Sequence, residues 1–254
     1  MSSVSKSAIL EFKQVDFYYE REKSFISNMS FSVNNGEFIG LLGANGSGKS
    51  TILKLASAIL KTSDGSINLW NKSILFYKNK DRAKLLSYLP QILDISIPFT
   101  VRELVGMGLY PYEISPALTI DETIEMVGLD DKADSLIANL SGGERRRAYI
   151  AMTLLQGAGL LLLDEPLANL DIKYQIELLK LLRRLQKERD ITVVMALHDI
   201  NIALQFDRIM LIKEGNILGI GSPDAVLTKD LLKQAFDVEV EIKRQDSGGA
   251  FIKY

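Results

Sequence analysis

The sequence predicts an α/β domain: a largely parallel sheet with helices on both faces, an antiparallel β portion near its start, and an inserted α-helical portion. Three observations predict it. Residues 144–212 alternate helix-like and strand-like segments, a pattern that requires parallel pairing through crossovers. Residues 9–15 and 28–33 alternate apolar and polar side chains as antiparallel strands do. From about residue 93 to 139 the apolar runs become short and helical, with turns at Pro111, Pro116 and Gly128.

With 254 residues the chain suits one large domain with a subsidiary lobe, and several independent domains are not expected. A hydrophobic fraction of 47% and a charged fraction of 24% are ordinary for globular proteins and exclude a disordered or fibrous chain. The formal net charge of −2 lacks the basic footprint of a nucleic-acid binder. The absence of cysteine excludes disulfides, thiolate metal sites and a thiol nucleophile, and suits a reducing, cytoplasmic setting. Residues 1–12 hold no apolar core of signal-peptide length. The most apolar stretch, 148–163, is interrupted by Thr153, Gln156, Gly157 and Gly159 and bounded by charges. A spanning helix needs about 20 apolar residues, so this stretch reads as core, and any membrane contact must pass through a partner.

In chain order, residues 37–42 form a short apolar run ending at glycine, as in a buried central strand, and a helix is expected from Ser50 to about Leu60. A turn at 62–65 precedes a strand at 66–70, and a further strand at 85–89 is closed by Pro90. The middle lobe should hold helices at 101–109, 120–127 and 132–137. Then come a helix (144–156), a strand (160–163), a helix (171–187), a strand (191–196), a helix (200–205) and a strand (208–212). Leu178, Leu181, Leu182 and Leu185 make one helical stripe that reads as core packing. Glu214 and Gly215 form a hairpin turn into 216–220, and the tail holds short helices and a hairpin turning at 247–249. The charged run 78–82 reads as a solvated helix face.

Gly43, Ala44, Asn45, Gly46, Ser47, Gly48, Lys49 and Ser50 satisfy G-x-x-x-x-G-K-[ST] between a strand and a helix, where a phosphate-binding loop must sit. Glycines let successive backbone N–H groups converge on a phosphate. The following helix, beginning with Ser50 and Thr51, offers its positive dipole end, Lys49 reaches β/γ oxygens and Ser50 suits Mg²⁺. The bland alternative is a glycine-rich turn. After four leucines, Asp164 and Glu165 stand at a buried strand's C-terminal end, where open α/β sheets place ligands. Asp164 would hold Mg²⁺ and Glu165 would polarise an attacking water, unless Asp164 merely caps the next turn.

Leu140, Ser141, Gly142, Gly143 and Glu144, standing just before the aspartate strand, complete a set in which the chain resembles an ATP-binding-cassette ATPase over nearly its whole length. The resemblance implies a P-loop NTPase sheet domain (1–92 and 140–254) with an antiparallel β subdomain and an α-helical subdomain at 93–139. It implies Mg²⁺ and ATP, and a head-to-tail dimer in which Ser141, Gly142, Gly143 and Asp171 act in trans on the nucleotide held by the other copy. Tyr19 resembles the aromatic that stacks on adenine, and Gln91 the glutamine that touches Mg²⁺ and the water. His198, the only histidine, resembles the γ-phosphate switch histidine. Taken alone, Tyr19 could be an edge residue, Asp171 an N-cap and His198 structural.

The segments 100–105 and 108–112, with 198–203, 219–223, 226–228 and 236–240, are similar to the importer branch serving iron–siderophore complexes, haem and vitamin B12. That implies docking beneath two permease subunits on the inner face of the cell membrane, with an extracytoplasmic binding protein delivering solute. A soluble ATPase of the superfamily, as in iron–sulfur assembly or translation, and a cassette for another solute remain as alternatives. The single cassette, the lack of a long charged linker and the importer-like lobe stand against the first. Departures from the family pattern are Ala44 for a frequent Pro, Arg146 for a common Gln, Leu167 for a frequent Thr and Met152 for a usual Arg.

Overall fold

The computed structural model describes residues 7–20, 25–93, 98–113, 118–244 and 250–253. The expected turns at Pro116 and at residues 247–249 lie outside them. In chain order the elements are β1 (Ala8–Phe17), β2 (Ile26–Asn34), β3 (Phe38–Leu42), α1 (Lys49–Ala56), β4 (Asp64–Leu69), β5 (Lys72–Ser73), α2 (Asn79–Leu85), β6 (Leu86–Leu89), α3 (Val101–Gly106) and α4 (Ile120–Met126). There follow α5 (Gly142–Leu155), β7 (Leu160–Asp164), α6 (Ile172–Arg189), β8 (Thr192–Leu197), α7 (Ile200–Ala203), β9 (Arg208–Lys213), β10 (Asn216–Gly221), α8 (Pro223–Val226), α9 (Lys229–Phe236), β11 (Glu241–Arg244) and β12 (Ala250–Lys253). They divide into two compact units, Met1–Ile74 with Val194–Tyr254, and Leu75–Val193.

In the first unit β2, β1, β4 and β5 form an antiparallel sheet in that order. Phe12 pairs with Phe31 across β1 and β2, and their rings stack at 4.3 Å. Strict alternation fails on β1, where Ile9 and Leu10 are both buried, because register shifts reset the pleat between Ala8 and Leu10 and again beyond Phe12. β3 is buried at every position and lies parallel to β9, as its unbroken apolar run requires. β9 returns as β10 through Glu214 and Gly215, both at positive φ (48° and 74°), the geometry that suits a tight hairpin. α1 is shorter than the expected helix reaching residue 60: Ala58 takes φ +57°, and the amides of Ile59 and Leu60 both turn back to the Lys54 carbonyl.

In the second unit β6 and β7 pair in parallel, Leu86 with Leu160 through Leu89 with Leu163. α3, α4 and α5 pack on one another, and the Leu178, Leu181, Leu182 and Leu185 stripe of α6 is buried. α2 buries none of its residues, so the charged run 78–82 is a solvated face. The helix expected at 132–137 is absent; short 3-10 turns stand at Asp130–Lys132 and Ile137–Asn139 instead. Backbone groups of that segment are engaged elsewhere. The Ser135 and Ala133 carbonyls accept from the Val101 and Arg102 amides, the Ile137 amide donates to Phe99, and Leu136 bridges Thr100. These pairings pull the chain out of helical geometry.

Among the described residues three helices start with a capping box, α3 at Thr100, α4 at Thr119 and α5 at Ser141, each with glutamate at the third helical position. In the last, Glu144 also pairs with Lys132. The Lys132 ammonium, then the Ser141 amide and hydroxyl, hold the Glu144 carboxyl down to about 2. A folded value below the ordinary 4.5 makes this stabilisation complete above that value and lost as pH falls toward 2. Glu144→Gln should therefore melt a few degrees below the wild type at pH 7, with the gap closing between pH 4.5 and pH 2; a gap independent of pH in calorimetry would refute the charge-based contribution. At Gly215 an added Cβ would stand 1.7 Å from the Phe25 carbonyl oxygen, at a φ that side chains rarely adopt. Gly215→Ala should cost roughly 2–3 kcal/mol, read as a drop of about 5–10 °C in thermal midpoint.

Candidate active site

In the first unit, β3 delivers the chain to the loop 43–48 and α1 carries it away. Gly43 admits no side chain, since a Cβ there would meet the Ile212 carbonyl oxygen at 2.3 Å and Ser47 Oγ at 2.6 Å. Lys49 is buried, 4% exposed, and its Nζ donates to the carbonyls of Gly43 (2.8 Å) and Ala44 (3.0 Å). The Gly215 amide donates to the Ser47 carbonyl at 2.8 Å, so the β9–β10 hairpin braces the loop. Gly48, at φ +112°, is the N-cap of α1 and supplies no side chain, which leaves the positive end of the helix opening onto the loop. Ser47 Oγ is buried with no hydrogen-bond partner. A loop with an enclosed ammonium, a cradle without Cβ atoms and an uncapped helix start is built for an anion.

Around this loop the same unit places Thr51, whose hydroxyl lies 2.8 Å from the Tyr19 hydroxyl. Tyr19 stands just past β1, 61% exposed, edge-on to Phe17 and Phe25. That leaves an aromatic surface open for a flat ring to stack. Ala44 and Ser50 are partly exposed and Asn45 and Gly46 exposed. His198 is exposed directly after β8, and Asp199 behind it caps α7 by accepting from the Asn201 (2.7 Å) and Ile202 (3.2 Å) amides.

In the second unit, Asp164 ends β7 and is 1% exposed, with the Tyr88 hydroxyl donating to it at 3.3 Å. Glu165 follows at φ +48°, a left-handed conformation that costs a non-glycine residue about 1–2 kcal/mol. Gln91, just beyond β6, donates Nε2–H to Glu165 Oε2 at 2.8 Å. Its amide oxygen and the Asp164 carboxylate are hard oxygen donors, the kind that Mg²⁺ takes. Ser141 caps α5, Gly142 is exposed, and Gly143 is partly exposed. Asp171 occupies the N-cap position of α6 with no side-chain cap bond, and is exposed.

Arg146 carries the contacts that sequence reasoning missed. It is 4% exposed, and its guanidinium donates to the carbonyls of Pro90 (3.3 Å), Gln91 (2.7 Å), Asp164 (2.8 Å), Glu165 and Pro166 (3.4 Å). Burial pulls its pKa below the usual guanidinium range while Asp164 and Glu165 oppose that pull. The arginine run 145–147 gave no sign of this, because a side chain's burial depends on what α5 packs against. Its neighbour Arg147 points elsewhere, to the Val127 and Gly128 carbonyls and onto the Tyr174 ring. Of the other departures, Leu167 is 5% exposed core and Met152 is partly buried.

A family model described as "ABC transporter" matches residues 26–168. The petrobactin import ATP-binding protein FpuC of Bacillus anthracis is 41% identical over 234 residues, covering 89% of this chain and 86% of that protein. The iron(3+)-hydroxamate import ATP-binding protein FhuC of Bacillus subtilis (strain 168) is 39% identical over 229 residues, covering 87% and 85%. Among solved structures, the ATP-binding cassette MJ0796, as a dimer in a post-hydrolysis state bound to ADP and Pi, superposes with a TM-score of 0.76 at 27% identity, covering 84% of this chain and 98% of that one. A phosphate-cradling loop, an acidic strand end and kinship along nearly the whole chain place this protein in the ABC transporter family, as one of its ATP-binding, ATP-hydrolysing cassettes.

Proposed function

We propose that the chain is the ATPase subunit of an importer for an iron–siderophore, haem or cobalamin-type solute, acting as a head-to-tail pair beneath two permease subunits fed by an extracytoplasmic binding protein. The observation that carries this reading is the kinship, over nearly the whole chain, with two import ATP-binding proteins whose names give petrobactin and iron(3+)-hydroxamate. No helix among the described residues is long and apolar enough to cross a membrane. A peripheral place on the cytoplasmic face, reached through the permease, accords with that. Large apolar side chains left in water in the second unit, Phe76 (75% exposed), Ile92 (86%) and Tyr110 (74%), suit a surface that a permease covers. Residues 93–139 serve in this reading as the helical subdomain, with 1–92 and 140–254 as the nucleotide-binding core.

Tyr19 stacks on the adenine. Backbone amides of Gly43, Ala44, Asn45, Gly46, Ser47 and Gly48 hold the phosphates with Ser50 and Thr51, and Lys49 exchanges the carbonyls of Gly43 and Ala44 for phosphate oxygens. Ser50, Gln91 and Asp164 hold Mg²⁺, which when bound offsets the charge of the β- and γ-phosphates. Glu165, fixed by the Gln91 side chain, accepts a hydrogen bond from the attacking water and orients it. His198 donates to a γ-phosphate oxygen, stabilising charge that develops there. Ser141, Gly142, Gly143 and Asp171 of each copy complete the nucleotide site of the other. Closing on ATP and reopening after hydrolysis then shifts the permease between two states.

Glu165→Gln should lower ATP turnover roughly a hundredfold or more, with ATP binding intact and a nucleotide-trapped dimer visible by size-exclusion chromatography; turnover at the wild-type rate would refute the role of Glu165. Lys49→Ala should weaken ATP binding at least about tenfold, since a buried cation facing phosphate is worth more than 1.4 kcal/mol. Co-purification with a detergent-solubilised permease tests the importer reading. Recovery only in soluble complexes would favour the iron–sulfur-assembly alternative.

A further inference from the structure

We propose that Arg146 is a positioning residue for hydrolysis, clamping the Gln91 and Glu165 segments together by their backbones so that the two side chains meet. This rests on the ATP-hydrolysis reading above. Guanidinium carries five N–H donors in a rigid planar fork, and here five carbonyls receive them: Pro90 and Gln91 on one segment, Asp164, Glu165 and Pro166 on the other. The two segments need such a clamp. β6 and β7 pair in register only as far as Leu89 with Leu163, and Pro90 and Pro166, lacking N–H groups, cannot extend the ladder.

Glu165 departs from the strand in a left-handed conformation, which persists only where surrounding contacts over-determine it. Arg146 bonds the carbonyls before, at and after that residue, and at the same time the Gln91 carbonyl. Beyond the clamp, Gln91 Nε2 reaches Glu165 Oε2 at 2.8 Å. The guanidinium thus fixes both backbones from which the water-orienting carboxylate and its amide partner project. It touches neither side chain's functional atoms among the contacts described, which makes its role one of placement.

Steady-state ATPase kinetics on the full-length chain, with magnesium and at concentrations favouring the dimer, test this. Arg146→Met keeps an unbranched, flexible stem and loses every donor. It should lower kcat about tenfold to hundredfold with KM and equilibrium ATP binding within about twofold. Arg146→Gln, which retains two donors, should recover part of that loss. Wild-type kcat in Arg146→Met overturns the proposal, and so do parallel losses in kcat, ATP binding and thermal midpoint, the mark of a merely structural residue. If Arg146→Met does not fold, Arg146→Lys decides, because an ammonium cannot span both segments: a kcat at least threefold down with unchanged ATP binding supports the clamp, and wild-type kcat overturns it. Glu165→Gln in parallel separates failures. An inactive Glu165→Gln beside a fully active Arg146→Met sinks the clamp alone, whereas a fully active Glu165→Gln sinks the hydrolysis assignment beneath it.

Discussion

A lysine ammonium enclosed within its own loop, held by the Gly43 and Ala44 carbonyls, is the interaction around which the first unit is arranged. Burying a cation is unfavourable unless polar groups surround it, and a loop can surround it only if its backbone turns inward. That in turn demands Gly43 without a side chain against Ile212 and Ser47, and a fully buried strand, β3, to bring the loop to its place. The same logic governs four more chemistry-bearing residues. His198 follows β8, Gln91 follows β6, and Asp164 and Glu165 end and follow β7. All stand at carboxyl ends of strands, where backbone groups leave the ladder and become available to a ligand.

The acidic strand end faces the opposite electrostatic problem. Asp164 is almost wholly enclosed and Glu165 adopts a backbone conformation that its neighbours must enforce. A neutral amide at position 146 would bring two donors to this task, while arginine brings five. The charge buried with those donors is met by carbonyl dipoles, with Asp164 and Glu165 favouring it and burial opposing it. Tyr88 adds a hydroxyl on Asp164. The carboxylate pair is thus framed by donors from β6, from the turn after it and from α5.

Much of this was legible in the sequence because the signals are local. The glycine-rich octet, the four leucines before Asp164, and serine three residues ahead of Glu144 each state a backbone geometry within a few positions, and the structure has the strand, loop and cap where they ask for them. What was not legible depends on distant partners. The 132–137 segment has helix-compatible residues, yet its backbone is drawn off by Phe99, Val101 and Arg102. The helix after the loop stops early because the chain turns left-handed at Ala58. Arg146, in a run of three arginines, shows as a departure from a pattern in sequence and as a buried fork only once β6 and β7 are in place beside α5.

The Gly215 amide on the Ser47 carbonyl has a thermodynamic consequence for whatever anion the loop receives. A loop already pinned from behind by a hairpin loses little conformational freedom on association, so the entropy of ordering is largely absent from the binding free energy. Affinity then tracks the charge presented to the amides and the ammonium. Successively shorter phosphate chains should weaken stepwise with each charge removed, without the abrupt collapse expected of a loop that folds around its ligand.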